Sequence, residues 1–155
     1  MKKKAVFFDR DDTLIVDSGY MHKPKDLKFF PDTFSVLQEL QRRGYLLFIV
    51  TNQSGIGRGY FSEEDMHKFN QHMLEQLAQQ NIKISEIVFC PHAPEDNCDC
   101  RKPKPKLINQ LCDKYQIDKS LSFMVGDKDS DVGAGVGAGV GGYKLHGDNL
   151  TRLIK

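Results

Sequence analysis

No apolar run in this 155-residue chain is longer than the six residues Tyr45–Val50, and a membrane-spanning helix needs roughly 18 or more. A charge excess is missing as well. The 22 Lys and Arg against 21 Asp and Glu leave a formal net charge of +1, which argues against a nucleic acid or membrane partner gripped mainly by electrostatics. Lys2–Lys4 are followed by only four apolar residues before Asp9, so no secretory h-region is present and the expected compartment is the cytoplasm. There is no long heptad pattern, so a monomer is expected. With 39% hydrophobic and 28% charged residues, disordered and collagen-like classes are excluded. The length suits a single domain over residues 1–155 that needs no disulfide staples.

What is present is an alternation of short apolar runs and amphipathic segments. Ala5–Phe8, Leu46–Val50, Ile87–Phe89 and Ser122–Val125 read as strands buried on both faces. Between them, Val36, Leu37 and Leu40 follow a potential cap at Asp32 and stop at Gly44. Met66, Phe69, Met73 and Leu77 follow a capping-box pattern at Ser62–Asp65, and Ile108, Leu111, Cys112 and Tyr115 mark a third helix. The expectation is a three-layer, Rossmann-like α/β fold around a mostly parallel sheet, with no large inserted cap domain and a short final helix. The run Gly133–Gly142 (GAGVGAGVGG) lacks the dinucleotide-binding context of a preceding strand and a following acid. It reads as a small-residue helix or loop against the sheet, locally flexible because each interior Gly costs about 1 kcal/mol relative to Ala.

Every polar cluster falls at the carboxyl end of an expected strand, where open α/β sheets place their ligands. Asp9-Arg10-Asp11 follows the first strand. Paired carboxylates there suit a hard cation such as Mg²⁺, and one of them suits nucleophilic attack on phosphorus. Gly126-Asp127-Lys128-Asp129-Ser130-Asp131 follows the fourth, with Asp127 the expected further Mg²⁺ ligand and Asp131 its support. Thr51, Asn52, Gln53 and Ser54 follow the second and offer donors to phosphoryl oxygens. Arg101 offers a bidentate fork and Lys102 a point charge to phosphate. Each cluster alone also fits a solvated turn; four converging on one sheet edge do not.

Cysteine is scarce, at four residues, but Cys90, Cys98 and Cys100 crowd around His92 in a C-x-H-x5-C-x-C pattern. Three thiolates and one imidazole complete a tetrahedral Zn²⁺ site with no place left for water, which predicts a structural metal. A disulfide is the alternative, disfavoured in a reducing compartment. Cys112 falls in an apolar helix stripe and reads as core.

Together, FFDRDDTL (Phe7–Leu14), TNQSG (Thr51–Gly55), Arg101-Lys102 and GDKDSD (Gly126–Asp131) resemble the motifs of the haloacid-dehalogenase-like phosphohydrolases. The loop CPHAPEDNCDCRKPKP, within residues 90–106, is similar to that of the zinc-loop branch holding heptose bisphosphate and histidinol phosphate phosphatases. Asp17-Ser18-Gly19-Tyr20-Met21-His22 is closer to the heptose type. The resemblance implies Asp9 as nucleophile, forming an aspartyl-phosphate, and Asp11 as general acid and then base. It implies Mg²⁺ held by Asp9, the Asp11 carbonyl and Asp127. Thr51 and Lys102 would hold phosphoryl oxygens, and Arg101 and Lys128 would read a second phosphate or the sugar. Asp17, Ser18, Gly19 and Tyr20 would cover that sugar. The implied reaction is removal of the 7-phosphate of D-glycero-D-manno-heptose 1,7-bisphosphate, with histidinol phosphate the alternative. A polynucleotide 3′-phosphatase and a zinc-dependent binding module without turnover are further readings. Asp12 departs from the Gly usual in this branch.

Overall fold

The computed structural model describes residues 2–155. Five strands, β1 (Ala5–Phe8), β2 (Leu46–Asn52), β3 (Glu86–Cys90), β4 (Phe123–Gly126) and β5 (Gly141–Lys144), form one parallel sheet in the order β3-β2-β1-β4-β5. The helices are α1 (Thr33–Arg42), α2 (Ser54–Gly57), α3 (Glu63–Gln79), α4 (Lys106–Tyr115) and α5 (Asp129–Ala138). A 3₁₀ segment, Gly147–Ile154, stands where a short final helix is expected.

Strand alternation divides the core in two. Val6, Phe8, Leu47, Ile49 and Val125 face a layer that includes Leu37 and Leu40 of α1, Phe69, Met73 and Leu77 of α3, and Leu150. Ala5, Phe7, Phe48, Val50 and Met124 face Ile108 and Leu111 of α4 and Ala134 and Ala138 of α5. Burial on both faces is what turns each strand into a continuous apolar run. Ser62 and Asp65 close the capping box at α3 reciprocally, at 3.0 Å each way. Asp32 stands at the N-cap of α1 but makes no side-chain capping bond.

The Gly-rich run supplies most of α5 and the first residues of β5, a strand that no apolar run foreshadows. Close packing explains the composition. A Cβ on Gly135 would lie 2.7 Å from both the Gly141 carbonyl oxygen and the Met124 Cβ, so α5 reaches the sheet only because that residue has no side chain. Its neighbour one helix face away, Gly137, is exposed, and a Cβ there would come no nearer than 3.6 Å, to Pro105.

The sheet order reverses direction between β1 and β4, the topological switch point at which such folds open a crevice. The carboxyl ends of these two strands carry Asp9 and Asp127.

The two glycines should answer Ala substitution with opposite signs. Gly135→Ala is expected to destabilise by about 1–3 kcal/mol through overpacking, and Gly137→Ala to stabilise by about 0.5–1 kcal/mol through helix propensity. Urea unfolding of the two variants beside the parent chain checks the pair.

Candidate active site

The β1–β4 ladder runs one residue past the strand: the Asp9 N–H donates to the Val125 carbonyl at 2.9 Å. This fixes the Asp9 backbone, and the residue is left only 6% exposed. Against it lies Lys102, 4% exposed. The Lys102 ammonium donates to Asp9 Oδ1 at 2.9 Å, to Asp131 Oδ1 at 2.5 Å and to the Val50 carbonyl at 2.8 Å, so all three of its donors are used. Burial disfavours this charge, but Asp9 and Asp131 outweigh it and hold the lysine above its ordinary pKa.

Asp131 rises from the first turn of α5, and its Oδ2 accepts the Lys128 N–H at 3.1 Å. Its carboxyl occupies the space where a Cβ on Gly126 would stand, 2.1 Å away, which explains a glycine at the end of β4. Oxygens of Asp9, Asp127 and Asp131 lie within 4.8 Å of one another. Asp127 Oδ1 is buried with no hydrogen-bond partner. Desolvation raises the pKa values of both Asp127 and Asp131. Three carboxylates and one ammonium leave two negative charges in excess, and one buried hard oxygen of the group has no hydrogen-bond partner. The donor set fits one divalent cation such as Mg²⁺. The resemblance implies the Asp11 carbonyl as a ligand; in side-chain terms the group that assembles is Asp9, Asp127 and Asp131.

A cavity of about 210 Å³ opens over this group, lined by Asp9, Asp11, Asn52, Gln53, Ser54, Lys102, Lys128 and Asp131, and by Asp17, Gly19 and Tyr20 on the far wall. Of the residues expected around a phosphate, five are engaged or directed elsewhere: Lys102 as above, Gln53, which donates to Asp11 Oδ2 at 3.2 Å, and Asn52, Thr51 and Arg101. Asn52 is bonded to the Lys102 backbone through both ends of its amide, accepting at 3.0 Å and donating at 3.4 Å, which ties the Lys102 loop to β2. Thr51 is fully buried, and its hydroxyl accepts from Gln53 Nε2 at 2.8 Å. Arg101 lines a separate hollow with Pro94, Asn97 and Lys104, because Lys102 takes the inward direction at this turn. Ser18 does not reach the cavity wall, and its hydroxyl donates to Met21 Sδ at 3.2 Å.

Asp11 is held by a neighbour that its own motif hides. Arg10 has no exposed surface and grips both Asp11 oxygens, at 3.0 and 3.2 Å. Burial raises the Asp11 pKa, opposed by the Arg10 charge. Nothing in the sequence separates Arg10 from a solvated charge between two acids; Asn70, its partner on α3, does carry a signal, since it falls four residues after Met66 and three before Met73 on the buried stripe. Asp12 adopts a left-handed φ of 60°, the conformation for which Gly is usual. Asp tolerates it better than most residues, and here its Oδ1 accepts the Asp17 N–H at 3.0 Å.

Beside the cavity, Cys90, His92, Cys98 and Cys100 converge. Cys90 Sγ lies 3.0 Å from Cys100 Sγ and 3.5 Å from Cys98 Sγ, and His92 Nδ1 is 3.4 Å from both Cys90 and Cys100. Burial, together with the neighbouring thiol of Cys100, pushes the Cys90 thiol up to about 12. Against desolvation, the N–H groups of Cys100 and Arg101 and the adjacent thiols bring Cys98 down to about 6. A closed S₃N donor set with one group already a thiolate near neutrality suits Zn²⁺.

Residues 4–135 match the family described as polynucleotide kinase 3 phosphatase. The D-glycero-beta-D-manno-heptose-1,7-bisphosphate 7-phosphatase of Pasteurella multocida is 45% identical over 139 residues, covering 86% of this chain and 76% of that protein. The corresponding alpha enzyme of Campylobacter jejuni is 43% identical over 141 residues, covering 91% and 81%. The crystal structure of a D,D-heptose 1,7-bisphosphate phosphatase from B. bronchiseptica, complexed with magnesium and phosphate, superposes with a TM-score of 0.86 at 28% identity, covering 98% of this chain and 87% of that one. Similarity of this extent, with a parallel sheet and acids at the switch point, defines a haloacid-dehalogenase-like phosphatase. The chain belongs to the D-glycero-D-manno-heptose-1,7-bisphosphate 7-phosphatase family.

Removing the buried ammonium should separate framework from rim. Lys102→Met leaves Asp9 and Asp131 unpaired and is expected to cost about 3–5 kcal/mol. Lys128→Met, at an exposed position, is expected to cost under about 0.5 kcal/mol. Denaturant midpoints of the two variants decide it.

Proposed function

We propose that the chain is a single-domain, Mg²⁺-dependent phosphomonoester hydrolase that removes the 7-phosphate of D-glycero-D-manno-heptose 1,7-bisphosphate. The observation that carries the reading is the Asp9, Asp127 and Asp131 cluster closed by Lys102 under a cavity of sugar-phosphate size. Asp9, Asp127 and Asp131 would hold Mg²⁺, which neutralises charge between a carboxylate and an incoming phosphate dianion when bound. Asp9 attacks phosphorus in line, and the bond to the sugar oxygen breaks. Asp11, whose carboxyl is biased toward the protonated form by burial, gives its proton to the departing oxygen. It then takes a proton from the water that hydrolyses the aspartyl-phosphate, which returns Asp9 and releases phosphate. Lys102 restrains the nucleophile and sets positive charge beside the transferred group. Asp17, Gly19 and Tyr20 enclose the sugar side, and Lys128 reaches the remaining phosphate.

The zinc loop, residues 90–106, has a mechanical part in this reading. Four protein ligands would close the metal, and the last of them, Cys100, stands two residues before Lys102. Zinc would therefore set where the lysine enters the core.

The polynucleotide phosphatase named by the family description is the second reading. Of the cavity's lining residues, only Lys102 and Lys128 are basic, and Lys102 is spent on Asp9 and Asp131. A nucleic-acid strand calls for a basic track with stacking aromatics, so the sugar bisphosphate is preferred.

Phosphate release with Mg²⁺ should favour D-glycero-D-manno-heptose 1,7-bisphosphate over histidinol phosphate by about 100-fold in kcat/KM, or roughly 2.7 kcal/mol. Both anomers and a 3′-phosphorylated oligonucleotide belong in the same assay; a preference for the oligonucleotide or histidinol phosphate overturns the substrate, and no turnover of any overturns the enzyme. Asp9→Asn is expected to abolish turnover with zinc content unchanged. Cys98→Ser should lose the single zinc per chain, read by elemental analysis, and lower the melting temperature.

A further inference from the structure

Arg10 makes no contact with the cavity, yet it is among the most fully connected side chains in the molecule. Its Nε and Nη2 donate to Asp11 Oδ1 and Oδ2 at 3.0 and 3.2 Å, and Nη1 donates to Asn70 Oδ1 on α3 at 3.0 Å. Nη2 also donates to the Met21 carbonyl at 2.9 Å and to Gln53 Oε1 at 3.3 Å. The guanidinium carbon lies 4.6 Å from the centroid of the Phe69 ring. One planar group thus joins the Asp11 carboxyl, the 17–22 loop, the end of β2 and α3.

Stability alone does not account for this arrangement. A buried ion pair commonly gains little over well-packed apolar residues, because desolvation offsets attraction. What the fork supplies is direction. Asp11 stands at the cavity with its side chain 18% exposed, where a free carboxyl would sample several rotamers. Two parallel N–H bonds fix its plane, and Gln53 Nε2 donates to the same Oδ2 at 3.2 Å. Asn70 then fixes the fork from behind. The Met21 carbonyl, on the same Nη2, registers the loop that carries Asp17, Gly19 and Tyr20 against that carboxyl.

We infer that Arg10, anchored by Asn70, is a positioning residue that sets the Asp11 carboxyl and the 17–22 loop in one fixed relation, so that proton delivery to the leaving oxygen depends on it. The inference rests on the phosphatase reading above. In that reaction the Asp9–phosphorus bond forms, the phosphorus–oxygen bond of the ester breaks, and the Asp11 proton passes to the departing oxygen to give a neutral alcohol. An alkoxide leaves poorly without that proton, whereas p-nitrophenolate leaves readily as an anion.

The test is therefore a comparison of leaving groups. In Asn70→Ala, kcat/KM for the heptose bisphosphate, or for whichever alkyl phosphate the parent chain turns over best, should fall by about 30-fold or more, within the range of general-acid catalysis. The value for p-nitrophenyl phosphate should fall by less than about 3-fold, since its departure needs little acid. Arg10→Lys keeps the charge but not the fork, and should widen the same split. Asn70→Ser replaces Asn70→Ala if the latter does not fold. Equal losses on both substrates, or no loss on either, overturn the inference. A parent chain inactive on every phosphate ester fails the phosphatase reading itself, and that result is read before any variant is made.

Discussion

Lys102 is the residue on which the architecture converges. An ammonium group without access to water is tolerable only where its donors all find acceptors and its charge finds partners. Here the acceptors come from three places: Asp9 after β1, the Val50 carbonyl in β2 and Asp131 in α5. Moving any of these by an ångström would strand a charge in the interior. The demand acts in reverse as well, because Lys102 must enter at a defined point, and the chain before it has little apolar material of its own. The Cys90, His92, Cys98 and Cys100 cluster gives that stretch a centre, and the Asn52 amide ties the Lys102 backbone to β2.

The same economy runs through the acids. Asp9, Asp127 and Asp131 are close enough to repel one another, and burial further discourages the ionisation of Asp127 and Asp131. Lys102 relieves part of this. The remainder is the electrostatic reason the site suits a divalent cation. Asp11, by contrast, has a private counter-charge in Arg10. Asp9 still acts on Asp11 through its charge, but each of these two carboxyls has its own cation, Lys102 for Asp9 and Arg10 for Asp11. Division of labour between paired acids commonly begins with such a division of surroundings.

Most of this was legible in the sequence, for a physical reason. Parallel strands buried on both faces must be apolar throughout, so β1 to β4 declare themselves, and a fold with its ligands at strand ends advertises its polar clusters by position. The parts that stayed hidden depend on contacts distant in the chain. β5 opens on two glycines because a Cβ on Gly142 would lie 3.0 Å from Val132 of α5 and one on Gly141 3.1 Å from Phe123 of β4, which no local pattern reveals. Arg10 looks solvated until Asn70, 60 residues on, is placed beside it. Arg101 and Lys102 read as equivalent cations, and only the turn that carries them decides which faces inward. Asp12 looked like a departure from a glycine position; its left-handed φ and its bond to the Asp17 N–H show how the position is kept.

The pairing of β1 has a consequence for the life of the chain before it is complete. The strand that carries Asp9 lies between β2 and β4, with Val6 opposite Phe123 and the Ala5 N–H donating to Ser122 Oγ. Its second neighbour is thus made more than a hundred residues later. A growing chain on the ribosome would expose one bare edge of its central strand until β4 emerges, with both acids of the first motif already made and Asp127 still missing. Long-range parallel pairing of this kind is slow and leaves sticky intermediates. Catalytic competence and protection from aggregation would then arrive together, late in synthesis, with the closing of a single strand pair.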